Sequence, residues 1–133
     1  MTYRSWKFED ILKISELEKE CFSDPWTYRM FVEGFSSKLF YGVCAVEDGE
    51  IVGYACETVL FENAEVDNIA VAESCRRRGV GKKLLKKLET EAKERGARVI
   101  LLEVRVSNAP AMTMYLKELS LIHISEPTRL RRI

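Results

Sequence analysis

Three arginines run into a glycine pair along Arg76, Arg77, Arg78, Gly79, Val80 and Gly81, with Lys82 next in line. That combination suits an anion. Glycine adopts backbone conformations closed to other residues and lets a ligand approach the main chain. The residues that follow are strongly helical in pattern, so the glycines stand at a helix start. Unpaired N–H groups and the positive dipole end favour negative charge there, and a pyrophosphate fits such a place. The spacing is not that of a P-loop, and the third glycine of a dinucleotide-binding turn is missing. On spacing alone, a helix start with solvated arginines is the competing interpretation.

Other side chains could move protons. Glu103 directly follows the apolar run Val99, Ile100, Leu101 and Leu102. Partial desolvation there would raise a carboxyl pKa toward a value useful in a base; a surface glutamate, or one paired with Arg105, is the alternative. Tyr115 lies seven residues after Asn108, about two turns along a helix. Its phenol can donate a proton or a hydrogen bond to sulfur, or it is a core tyrosine. Cys75 adjoins the arginines, which could lower a thiol pKa and open a covalent route. No histidine stands beside it; the one histidine, His123, is far along the chain.

The elements that would position these groups follow from periodicity. A short strand is expected over residues 2–6, then a helix over 9–21 with Ile11, Leu12, Ile14, Leu17 and Cys21 turned inward. Pro25 breaks the chain before a second helix over 27–34, with Met30 and Phe31 inside. Strands follow over 40–46 and 51–60, joined at Asp48-Gly49, a strong hairpin signal. A turn at Glu62-Asn63 leads to a strand over 64–71. Residues 79–95 form the clearest helix, with Val80, Leu84, Leu88 and Ala92 recurring every fourth position. A buried strand over 98–106 comes next, then a helix over 109–116 capped near Asn108. The expectation is an α/β domain with a strand–turn–helix–strand unit at its centre.

At Arg76-x-x-Gly79-x-Gly81 the sequence resembles the R/Q-x-x-G-x-G/A signature of the GNAT acetyltransferase superfamily, with Asn68, Ile69, Ala70 and Val71 in the preceding strand. The likeness runs from about Thr2 to Glu118. Within that superfamily it is most similar to the group acetylating the N-terminal alanine of a small-subunit ribosomal protein. The carriers are Phe22-Ser23-Asp24-Pro25-Trp26, Asp67-Asn68-Ile69-Ala70-Val71, and residues 102–108 followed by Tyr115.

The resemblance implies a GNAT fold, a mixed and mostly antiparallel sheet flanked by helices, lacking its last strands. It implies acetyl-CoA as co-substrate, no metal, and a protein N-terminus as acceptor, possibly that of a ribosomal protein. Glu103 would be the base and Tyr115 the acid. Asn108, the turn from Arg76 to Lys82, and the backbone of Ile69, Ala70 and Val71 would hold acetyl-CoA, with an N–H serving the developing oxyanion. Trp26 would shape the acceptor pocket or simply pack in the core. Direct transfer in a ternary complex is preferred to a Cys75 intermediate. Two other readings stay open: a GNAT enzyme for small-molecule amines, and a catalytically silent acyl-CoA-binding domain.

Bulk properties agree with one domain of 133 residues. With 21 basic and 21 acidic residues, a broad nucleic-acid surface is not indicated. There is no long apolar run and no signal-peptide pattern, so a cytoplasmic protein without membrane contact is expected. The four cysteines lack metal-ligand spacing and are expected to be reduced. After Glu118 the superfamily pattern asks for a Gly-Phe turn and two strands. The chain reads Leu119-Ser120-Leu121-Ile122-His123-Ile124 instead, and residues 119–133 resemble a translated sequencing adapter. The expectation is an incomplete domain over 1–118 with a non-native tail, poorly stable and weak or inactive as an enzyme.

Overall fold

The computed structural model describes residues 1–104 and 129–132. The helix over 109–116, Asn108 and Tyr115 lie outside the described residues. Strand β1 (Thr2–Ser5) leads through a single 3-10 turn at Phe8–Asp10 into α1 (Ile11–Cys21), followed by α2 (Tyr28–Phe35). Strands β2 (Phe40–Glu47), β3 (Glu50–Leu60) and β4 (Asn63–Val71) come next. A second 3-10 turn at Glu73–Cys75 precedes α3 (Val80–Glu94), β5 (Val99–Val104) and β6 (Arg129–Arg132).

The strands form one sheet in the order β1-β2-β3-β4-β5-β6. The pairs from β1 to β4 are antiparallel, and β4–β5 and β5–β6 are parallel. Helix α3 covers one face of β2, β3 and β4; α1 and α2 cover the other. The core is therefore two layers of side chains. On the α3 face Leu84, Leu85 and Leu88 meet Val43, Ala55, Val66 and Ile100. Removing each such leucine from water contributes about 1.5–3 kcal/mol. On the other face Trp6, Phe31 and Tyr54 meet edge to face at 5.9–6.0 Å between centroids.

The hairpin between β2 and β3 turns at Asp48 and Gly49, both at positive φ, as the Asp-Gly pair predicts. Local differences from the sequence reading have simple causes. Leu12 is exposed, because the inward face of α1 is the one carrying Ile11, Ile14, Ser15 and Glu18. Met30 is exposed while Phe31 fills the inner face of α2. The turn before β4 falls at Phe61-Glu62, since Leu60 and Asn63 already pair. Residues Arg129–Arg132, read from sequence as lying beyond the domain, add to the free edge of β5. Backbone pairing at an edge makes little demand on side-chain identity.

Candidate active site

Two departures from regular pairing shape the site. In β4, Cys56 faces Asn68 while Glu57 faces Val66, so Asp67 is an extra residue on that strand. Such a bulge reverses the alternation of side chains. Ala64 and Val66 face α3 before it; Ile69 and Val71 do so after it. Asp67 and Asn68 share the opposite face, where Asp67 accepts from Thr58 Oγ1 at 2.8 Å and Asn68 Nδ2 donates to Glu18. The second departure is a gap. Strand β5 pairs with β4 only from Asn63↔Val99 to Val66↔Leu102. Among the described residues, no strand pairs with the β5 side of β4 beyond that point.

The Ala72 N–H donates to Val52 O on β3 at 2.8 Å. Antiparallel alternation then aims the backbone groups of Ile69 and Val71 at the gap and those of Ala70 at β3. Val71 O is taken there by Arg76 Nε at 3.0 Å. Glu103 follows the last β4–β5 pair directly, so its backbone stands at the mouth of the gap.

Beyond β4 the chain makes the arginine–glycine turn. Arg77 has φ 65° and Gly79 φ 77°, so two left-handed residues swing the backbone into α3. Gly79 is the residue before the first helical turn and no side chain caps it. Having no side chain, Gly79 cannot itself cap the helix-start N–H groups. A helix start of this kind suits an anion.

The arginines divide the work. Arg76 clamps the end of β4 and also reaches Cys21 Sγ at 3.6 Å. Arg78 forms a two-pronged pair with Glu47 of β2, with Nη1 to Oε1 at 3.0 Å, and holds that carboxyl below its ordinary pKa. The side chains of Arg76 and Arg78 thus brace the turn from behind. Val80 is buried beneath it, against Gly53. Cys75, the covalent candidate, is buried with Arg78 Nη1 at 3.6 Å from its sulfur.

Sequence reasoning passed over the polar centre of the α1/α2 face. Glu18 is fully buried and accepts from Tyr54 OH, from Asn68 Nδ2 at 3.0 and 3.1 Å, and from the Trp26 backbone N–H at 2.9 Å. Burial and the adjacent Glu18 drive the Tyr54 pKa far up. Trp26 is half-buried, with its ring 5.3 Å from that of Phe31. A signal for Glu18 existed: it stands four residues after Ile14 and seven after Ile11, on the apolar stripe.

The Acetyltransferase (GNAT) family matches residues 11–120. The chain belongs to this family. As an acetyltransferase of that kind it draws its acetyl group from acetyl-CoA. It is 34% identical over 101 residues to the [Ribosomal protein bS18]-alanine N-acetyltransferase of Haemophilus influenzae, covering 75% of this chain and 68% of that one. Its identity to the Escherichia coli K12 protein of the same name is 29% over 114 residues, covering 86% and 76%. The crystal structure of the ribosomal-protein-S18-alanine N-acetyltransferase from Escherichia coli superposes with a TM-score of 0.80 at 28% identity, covering 87% of this chain and 74% of that one. The GNAT fold expected from the signature is the fold observed.

Proposed function

We propose that this acetyltransferase modifies the N-terminal amine of a protein, an alanine of a ribosomal protein in the first instance. The observation that carries the reading is the gap at the end of β4. Arg76, at the start of the glycine turn, donates to Val71 O on one side of the gap, and on the other Asn68 shares the Glu18 carboxylate with the Trp26 N–H. The relatives named for bS18-alanine acetylation support the choice of acceptor.

In this reading the turn at Arg77, Gly79, Gly81 and Lys82 receives the pyrophosphate, and the pantetheine arm runs along Ile69, Ala70 and Val71. An N–H of the gap donates to the thioester oxygen as charge develops there; loss of such a donor costs about 2.7–4 kcal/mol of barrier. Glu103 accepts a proton from the acceptor ammonium, directly or through a water. The free amine attacks the thioester carbon, the new C–N bond forms, the nitrogen sheds its second proton to solvent, and the C–S bond breaks. Tyr115 supplies a proton to the departing sulfur, and Asn108 contacts the co-substrate.

Mass spectrometry tests this. The protein is incubated with acetyl-CoA and an alanine-initiated peptide, a polyamine or an aminoglycoside. Acetyl on the peptide α-amine is the expected product, in low yield if the acceptor half is incomplete. Acetylation of the small amines with none of the peptide defeats the proposal. Glu103→Gln should keep acetyl-CoA binding and lower turnover by about 10²–10⁴-fold.

A further inference from the structure

The carboxylate of Glu18 joins three separate stretches of chain. It lies on α1; it accepts from Tyr54 of β3, from Asn68 in the arm of β4 beyond the bulge, and from the main chain at Trp26. Asn68 immediately precedes Ile69, and Tyr54 pairs with Ala70. One buried group therefore ties the backbone lining the gap to the segment that carries Trp26.

We infer that Glu18 is a positioning residue for acetyl transfer, setting the spacing between the acceptor wall at Trp26 and the acetyl-binding arm of β4. The inference rests on the proposed function and deepens it. The chemistry is that of an acceptor with several convergent donors. Only an oxygen-rich, hydrogen-free group satisfies the Tyr54 hydroxyl, the Asn68 amide and the Trp26 N–H together. A glutamine of the same size presents one oxygen and one NH₂, so the Tyr54 hydroxyl and the Asn68 amide would both have to turn and accept from it, and the present arrangement is lost. No apolar contact could hold the Trp26 main chain and the Asn68 amide at fixed distance. The main anchors of the arginine–glycine turn, Arg78 to Glu47 and Arg76 to Val71 O, run through groups other than the Glu18 carboxylate.

The test is Glu18→Gln in the full chain, read by amide hydrogen exchange and by kinetics. Exchange should quicken by about tenfold or more at Trp26 and at Ile69 to Val71, while Leu84 and Leu88 of α3 stay within about threefold. Peptide kcat/KM should fall by about tenfold or more, with acetyl-CoA affinity held within about threefold. Uniform acceleration that includes α3, or no local acceleration, overturns the inference. So does a loss of kcat/KM no larger than the loss of acetyl-CoA affinity. If Glu18→Gln does not fold, Tyr54→Phe keeps the ring and removes one donor; the same local pattern is then required, at smaller amplitude, and its absence overturns the inference. Should the parent acetylate no peptide, the proposed function falls, and the exchange pattern alone decides the role of Glu18.

Discussion

Glu57 is fully buried on the α3 face of β3, and among the described residues neither of its carboxyl oxygens has a hydrogen-bond partner. Desolvation pushes its pKa up to about 9; Arg95 opposes that shift, while Glu91 and Asp67 add to it. The folded protein thus holds a proton that the unfolded chain releases near the ordinary carboxylate value. Between that value and about 9, stability falls as pH rises, by at most about 1.4 kcal/mol per pH unit from this group. Glu57→Gln should flatten that slope. Urea denaturation at pH 5.5 and pH 8 measures it; an unchanged difference between the two would show that Glu57 does not carry the effect. Gly79 is a second residue with a distinct cost. Its φ of 77° is left-handed and a Cβ there would meet no atom within 4 Å, so Gly79→Ala pays in backbone strain alone, about 1 kcal/mol. Gly49, at φ 80° in the β2–β3 hairpin, offers the matched control. Both alanine variants should lose similar stability by thermal melting, and only Gly79→Ala should weaken acetyl-CoA binding by calorimetry.

At the scale of elements, the contact of α3 with the sheet depends on Gly53. A Cβ there would lie 3.2 Å from Ala70 O, 3.2 Å from Val80 Cγ1 and 3.3 Å from Leu84 Cδ1. The first turn of α3 would have to lift from β3 and β4 to admit a methyl group. Gly53→Ala should destabilise the fold by about 1–3 kcal/mol in urea titrations, and an unchanged midpoint would mean that the helix start moves freely. Helix α3 itself was readable from sequence, because Val80, Leu84, Leu88 and Ala92 repeat at the helical period and all four are buried. The β2–β3 hairpin was readable for the same kind of reason, since Asp48-Gly49 suits two consecutive positive φ values. The bulge at Asp67 was not. One extra residue leaves composition and strand propensity unchanged, and its effect exists only in relation to the partner strand. Glu18 was missed because a glutamate ordinarily marks a solvent-facing position. Its partners at Trp26, Tyr54 and Asn68 come from segments that only the tertiary fold brings together.

Across the whole molecule, one sheet separates two tasks. The α3 face carries the long aliphatic core, with the arginine–glycine turn at the head of its helix, while the α1/α2 face carries the aromatic cluster and the buried Glu18 network. The family signature made the first task legible, since Arg76, Gly79 and Gly81 are local in sequence. The second depends on contacts between distant segments, and so it emerged only with the fold. Strand β4 belongs to both. Its first half, Asn63 to Val66, is held between β3 and β5; its second half, beyond Asp67, pairs with β3 on one side and, among the described residues, with no strand on the other. A single strand is thereby split into a durable portion and an adjustable one. Truncating Val66, buried between two paired strands, should lower the melting temperature more than truncating the half-buried Val71 does. On the proposed reading, variation along the second half would bear on the seat of the acetyl group while the seam holding the sheet together stays intact.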